Sequence, residues 1–99
     1  MSTVRVDVHP AAIDEARAAY AWYAERNENA ANEFMAEVDR AVGLIAANPD
    51  RWPAYRFGTR RILLRRFPFS LIFRHDKEAV TVFAVTHARR RPAYWRHRL

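Results

Sequence analysis

Polar and apolar residues alternate at the start of the chain, where Val4, Val6 and Val8 are separated by Arg5 and Asp7, the period-two pattern of a strand with one buried face. After Pro10, a residue suited to the first turn of a helix, the period lengthens. Ile13, Ala16, Tyr20 and Tyr23 recur in steps of three and four with Trp22 beside them, which predicts a helix to about Arg26. Asp14 and Glu15 are then placed to meet the positive end of its dipole. Asn27 and Asn29 interrupt this pattern. A second helix over residues 30–47 carries Phe34, Val38, Val42 and Ile45 on one face, flanked by Met35 and Ala41, and stops at Asn48-Pro49. A short link between two such helices predicts an antiparallel hairpin.

Beyond an irregular stretch containing Trp52, Pro53 and Tyr55, the pattern returns to strands over residues 61–67, 69–75 and 79–87, with turns at Pro68 and at Asp76-Lys77-Glu78. Phe69, Leu71 and Phe73 share one face of the middle strand while Ser70, Ile72 and Arg74 share the other, so this strand is expected to be central. The order β-α-α-β-β-β predicts an α+β fold, a helical hairpin packed on one face of a small, mostly antiparallel twisted sheet. The other face is expected to be partly open and to gather positive charge from Arg61, Arg65, Arg74 and the C-terminal tail.

The 99 residues form one expected domain, residues 1–99, too short for a two-domain enzyme. A 51% apolar content supplies a core and argues against disorder. The absence of cysteine excludes disulfides and thiolate zinc sites. Met1 to Arg5 lack a leader-like apolar run, and the longest apolar stretches fall far short of the ~20 residues that cross a bilayer. A soluble, cytoplasmic protein without membrane partners is expected.

Charge adds a division to this picture. Residues 1–50 carry nine acids against four arginines, a balance of −5, whereas residues 51–99 carry thirteen bases against Asp76 and Glu78, a balance of +11. The basic half points to a polyanionic or acidic partner, against the simpler reading of a solvated charged face. Sixteen of the seventeen bases are arginine, the residue suited to bidentate recognition of phosphate and carboxylate, although coding bias produces the same excess.

Most chemical motifs are missing. His9, His75, His87 and His97 form no i, i+4 pair, so no metal site is expected. The two glycines, Gly43 and Gly58, build no phosphate loop, and no cofactor is expected. Ser70, His87 and Asp76 lack the setting of a nucleophile triad. The densest candidate is Thr86-His87-Ala88-Arg89-Arg90-Arg91-Pro92-Ala93-Tyr94-Trp95, which mixes phosphate-neutralising groups with rings that stack on bases. A metal-independent ribonuclease needs only a base, an acid and cations around the phosphorane; His87, Tyr94, Arg61 and Arg90 are the candidates. The competing reading is structural, with Trp95 packing on the sheet and Arg89 to Arg91 solvated. Trp22-Tyr23 and Trp52-Pro53 are read as core and loop-anchoring aromatics.

Five segments in order carry a resemblance: His9-Pro10; Trp22-Tyr23-Ala24-Glu25-Arg26; Ile45-Ala46-Ala47-Asn48-Pro49-Asp50-Arg51-Trp52-Pro53; Arg60-Arg61-Ile62-Leu63-Leu64-Arg65-Arg66-Phe67-Pro68-Phe69-Ser70-Leu71-Ile72-Phe73-Arg74; and Ala84-Val85-Thr86-His87-Ala88-Arg89-Arg90-Arg91-Pro92-Ala93-Tyr94-Trp95. Together they resemble the RelE/ParE superfamily of bacterial toxins. The resemblance implies the toxin of a type II toxin-antitoxin module, of the kind linked to plasmid stabilisation. RelE-like members cut mRNA in the ribosome, whereas ParE-like members bind DNA gyrase and are not enzymes. RelE-like nucleases carry lysines on the strand that here runs 61–66 and an arginine at the position that here falls on Ser70, so the ParE-like branch is favoured. The alternatives are a ribosome-dependent nuclease and a non-toxic basic nucleic-acid-binding module. The implied partners are a cognate antitoxin, in a toxin-antitoxin hetero-oligomer, and DNA gyrase, or else ribosome and mRNA. The expected target- or antitoxin-binding residues are Arg61, Arg65, Arg74, His87, Arg89, Arg90, Arg91, Tyr94 and Trp95.

Overall fold

Each helix begins where a side chain can accept a backbone N–H that the helix itself leaves orphaned. In the computed structural model, which describes residues 3–99, His9 Nδ1 accepts from Ala11 N at 3.1 Å to open α1 (Pro10–Ala24). Asn27 Oδ1 accepts from Ala30 N at 3.2 Å to open α2 (Glu28–Ala47). Asn29 therefore lies inside the second helix. Met1 and Ser2, part of the segment read as lacking a leader, lie outside the described residues.

The remaining elements are β1 (Arg5–Val8), β2 (Arg60–Leu63), β3 (Phe69–Asp76) and β4 (Ala79–His87), with short 3-10 turns at Pro49–Arg51, Arg56–Gly58 and Arg96–Arg98. The sheet order is β1-β4-β3-β2. β1 runs parallel to β4, and the other two pairings are antiparallel, so the sheet is mixed. β2 is shorter than its sequence pattern. Pairing stops at Leu63↔Ser70, and the next residues turn towards the helices, where Arg65 N donates to Glu37 Oε1 at 2.8 Å. Among the described residues no helix is long and apolar enough to cross a membrane.

Both helices cover one sheet face. Ala12, Ala19, Ala31, Phe34, Val38, Ala41 and Ile45 meet Leu71, Phe73, Val80, Val82 and Val85. On α1 the inward stripe is Ala12, Ala16, Ala19 and Tyr23, and Ile13 is exposed; the alanines allow the helix to approach the sheet closely. Phe34, fully buried, sits 5.0 to 5.5 Å from the rings of Tyr23, Phe67 and Phe69, separations at which aromatic pairs each add about 0.5–1.5 kcal/mol beyond area burial.

The second face is not open. The tail folds back over it, placing Trp95 against Ile72 and Ala84, with Tyr55, Ala93, Tyr94 and Leu99 around them. This realises the structural reading of Trp95, and it corrects the expectation of a partly open, charge-collecting sheet face.

Candidate functional site

The site grows from an irregularity in β4. Register passes from Phe73↔Val82 to Ile72↔Ala84, leaving Phe83 as an extra residue, which reverses the alternation of the strand beyond it. Val80, Val82 and Val85 consequently join the helix-side core, while Ala84 joins the tail-side cluster. The sequence held the signal. Its apolar positions change phase between Val82 and Phe83.

β1 ends at Val8, opposite Val82, so the adjacent edge of β4 has no strand neighbour beyond that point. Side chains take its place. Glu15 Oε1 accepts from Val85 N at 3.1 Å, and Arg98 Nη1 donates to Phe83 O at 2.9 Å. Arg98 also holds Glu15 with both ends of its guanidinium, at 2.8 and 3.1 Å, and the Tyr94 hydroxyl donates to the same carboxylate. Glu15 thus does not serve the helix dipole. No acid occupies the first turn of α1, and Glu15 lies three residues from Ala12 and four from Ala19, on the inward stripe. That spacing was the overlooked sign that its carboxylate would be buried. Side-chain exposures of 15% for Glu15 and 10% for Arg98 make this a largely desolvated pair.

Two concavities flank the anchored tail. An open cleft of about 670 Å³ lies between α1 and the ends of β3 and β4, with Trp22, Tyr23, Phe69 and Val85 in its lining and Arg89 and Arg90 at one side. Trp22 is 53% exposed, so its reading as a core aromatic is corrected. A smaller hollow of about 90 Å³ on the tail side gathers Arg61, Arg90, Arg91, Ser70 and Thr86. His87 borders both. Its Nδ1 accepts from Arg89 N at 3.0 Å, so the neutral ring carries its proton on Nε2. Phe69 lies edge-on to it with centroids 5.0 Å apart.

Of the residues singled out from sequence, the structure brings together Arg61, His87, Arg90 and Arg91, with Arg89 on the cleft side. Tyr94 lies beneath Arg90, whose guanidinium is 3.9 Å from the ring centroid, and Trp95 is buried beneath the tail. Arg65 belongs elsewhere, on the turn facing α2. Arg74 pairs with Asp76 at 2.9 Å and packs 5.2 Å from the Phe83 centroid, near the β3–β4 turn. Among the described residues, no carboxylate lies within ion-pair distance of Arg61, Arg89, Arg90 or Arg91. No three His, Cys, Asp or Glu side chains among them gather as a metal-binding group.

Burial pushes the Tyr94 phenol above its ordinary 10.0, and donation to Glu15 adds to the effect; burial raises Tyr23 as well. Arg98 is held more firmly protonated by its bonds to Glu15, against the opposing effect of burial. Tyr94 is therefore a neutral donor committed to a structural carboxylate. Because the unfolded chain ionises these tyrosines first, folding stability is expected to fall as pH rises past about 10. A series of unfolding midpoints measured across that range should show a shallower fall for Tyr94→Phe.

The profile of the family described as "ParE toxin of type II toxin-antitoxin system, parDE" matches residues 6–92. A solved chain described as "Chromosomal ParDE TA system from P. aeruginosa" superposes with a TM-score of 0.76 at 18% identity, covering 86% of this chain and 96% of that one, a likeness of fold. No curated protein sequence matches.

Proposed function

Since the chain belongs to the ParE toxin family of type II toxin-antitoxin systems, we propose that this toxin arrests growth by binding DNA gyrase and is neutralised by a cognate antitoxin in a hetero-oligomer. The observation that carries the gyrase reading is the Glu15 cluster. The Tyr94 hydroxyl, the candidate proton-transfer group of a nuclease, is engaged by a largely desolvated carboxylate, while the neighbouring Arg89, Arg90 and Arg91 have no carboxylate partner among the described residues. That combination suits recognition of an acidic surface by a rigid basic one better than acid-base chemistry. The target lies in the cytoplasm, where this reading also places the toxin. An antitoxin segment with apolar anchors and acids fits the cleft beside Trp22 and the Arg89 side of its rim.

A second reading, ribosome-dependent mRNA cleavage, draws support from the hollow where Arg61, His87, Arg90 and Arg91 meet. Supercoiling and cleavage-complex assays with purified gyrase, run beside cleavage on programmed ribosomes, separate the two. Gyrase inhibition with intact mRNA is the expected result, and mRNA cuts with normal supercoiling would overturn it. The changes Arg89→Ala, Arg90→Ala and Arg91→Ala made together should weaken gyrase inhibition about a hundredfold, at about 1 kcal/mol per rim charge. His87→Phe and Tyr94→Phe should reduce it only modestly, whereas a nuclease would lose its proton-transfer groups with them.

A further inference from the structure

A turn outside the regular elements presents an aromatic ring at a backbone cost. Phe57 lies at φ 59°, ψ 41°, the left-handed region that L-residues other than Asn, Asp and His seldom enter. Its side chain is 46% exposed, so core burial does not offset that conformation. The turn is nevertheless held firmly. Tyr55 N donates to Thr59 O at 2.7 Å, the buried Thr59 donates its hydroxyl to Arg56 O at 2.6 Å, and Arg60 Nη1 donates to Trp52 O at 2.6 Å.

Guanidinium groups surround the exposed ring. Arg96 lies 4.1 Å from the Phe57 centroid, Arg61 lies 4.3 Å from that of Tyr55, and Arg56 lies 5.9 Å from the same ring. Among the described residues none of these three arginines has a carboxylate within ion-pair distance. The result is one exposed ring, Phe57, among three unneutralised arginines, with the half-buried Tyr55 packed against Trp95 and carrying Arg61 over its ring. It is separate from the cleft beside α1 and continuous with the tail-side hollow through Tyr55 and Arg61.

We propose that this surface binds single-stranded DNA, with Phe57 stacking on an unpaired base, Tyr55 supporting Arg61 from beneath, and Arg56, Arg61 and Arg96 contacting the flanking phosphates. Rings interleaved with guanidinium groups form the platform by which single strands are held without sequence preference. An acidic protein would use the arginines alone and has no need of a ring held out in a disfavoured backbone. RNA is marked by its 2′-hydroxyl, and of the five side chains only that of Tyr55, half-buried against Trp95, carries an oxygen to accept its proton. The assignment is independent of the gyrase reading.

Fluorescence anisotropy of a labelled oligo-dT of about 12 nucleotides, titrated with the full chain, tests it. Phe57→Gly removes the ring and relieves the left-handed strain, so the variant should melt no lower than the parent while binding at least about fivefold more weakly. Arg56→Gln should reduce the slope of log affinity against log salt by about 0.7, whereas Phe57→Gly should leave that slope unchanged. Absent binding, or oligo-dT affinity unaffected by Phe57→Gly, overturns the proposal. So does tighter binding of oligo-U, or displacement of the oligonucleotide by polyglutamate of equal charge.

Discussion

Replacing Arg98 with alanine is expected to destabilise the toxin by about 3–5 kcal/mol, the usual cost of removing one member of a buried ion pair. The loss is large because Glu15 remains behind, desolvated, with only the Tyr94 hydroxyl and Val85 N–H as partners, and Phe83 O loses its donor. A small domain holds about 5–15 kcal/mol in all, so the variant should unfold at markedly lower urea. Arg98→Lys should fall between parent and alanine, since one ammonium cannot reproduce a bidentate grip on Glu15. The double variant Glu15→Leu/Arg98→Met removes both charges and should recover part of the loss, but leaves Val85 N–H and Phe83 O unpaired. A loss below about 1 kcal/mol for Arg98→Ala would show that the pair contributes no more than a surface ion pair.

The second large effect separates two tryptophans. Trp95 is 1% exposed and lies at the centre of the tail-side cluster, so Trp95→Ala should cost about 3–5 kcal/mol. Trp22 is more than half exposed, with the Arg26 guanidinium stacked 3.7 Å from its ring centroid, and Trp22→Ala should change stability by no more than about 0.5 kcal/mol. Urea unfolding of both variants, with fluorescence of the remaining tryptophans as the signal, measures the contrast. Similar losses in the two would contradict the covered sheet face. Antitoxin affinity, in contrast, should suffer more from Trp22→Ala, which removes an aromatic from the cleft.

These two expectations also mark where sequence reading succeeded and where it stopped. The hairpin and the succession of elements along the chain were legible because they follow from local periodicity: Phe34, Val38 and Ile45 repeat at helical steps, and Leu71 and Phe73 alternate. Glu15 was misread because a helix start attracts acids through its dipole; its spacing from Ala12 and Ala19 marked the inward face, but nothing local pointed to a partner 83 positions away. Arg65 and Arg74 were grouped with the tail because a continuous strand places alternate residues on one face. The early end of β2 sends Arg65 towards α2, and the Asp76 carboxylate engages Arg74. Phe57 carried no periodic signal, since a left-handed turn residue is recognised by its backbone and not by its neighbours.

The pairing of β1 with β4, together with the grip of Arg98 on Glu15, bears on how the toxin is made. During synthesis β1 and α1 emerge before β4, the strand that pairs with β1 among the described residues, and Glu15 finds its partners only when residues 85, 94 and 98 have been added. Contacts between such distant segments form late. A ribosome that stalls or terminates before Arg98 should therefore release a chain whose basic tail is unanchored, and premature termination should yield a harmless product. The length of chain between the first strand and Arg98 therefore sets the point in synthesis at which the Glu15 cluster can first close.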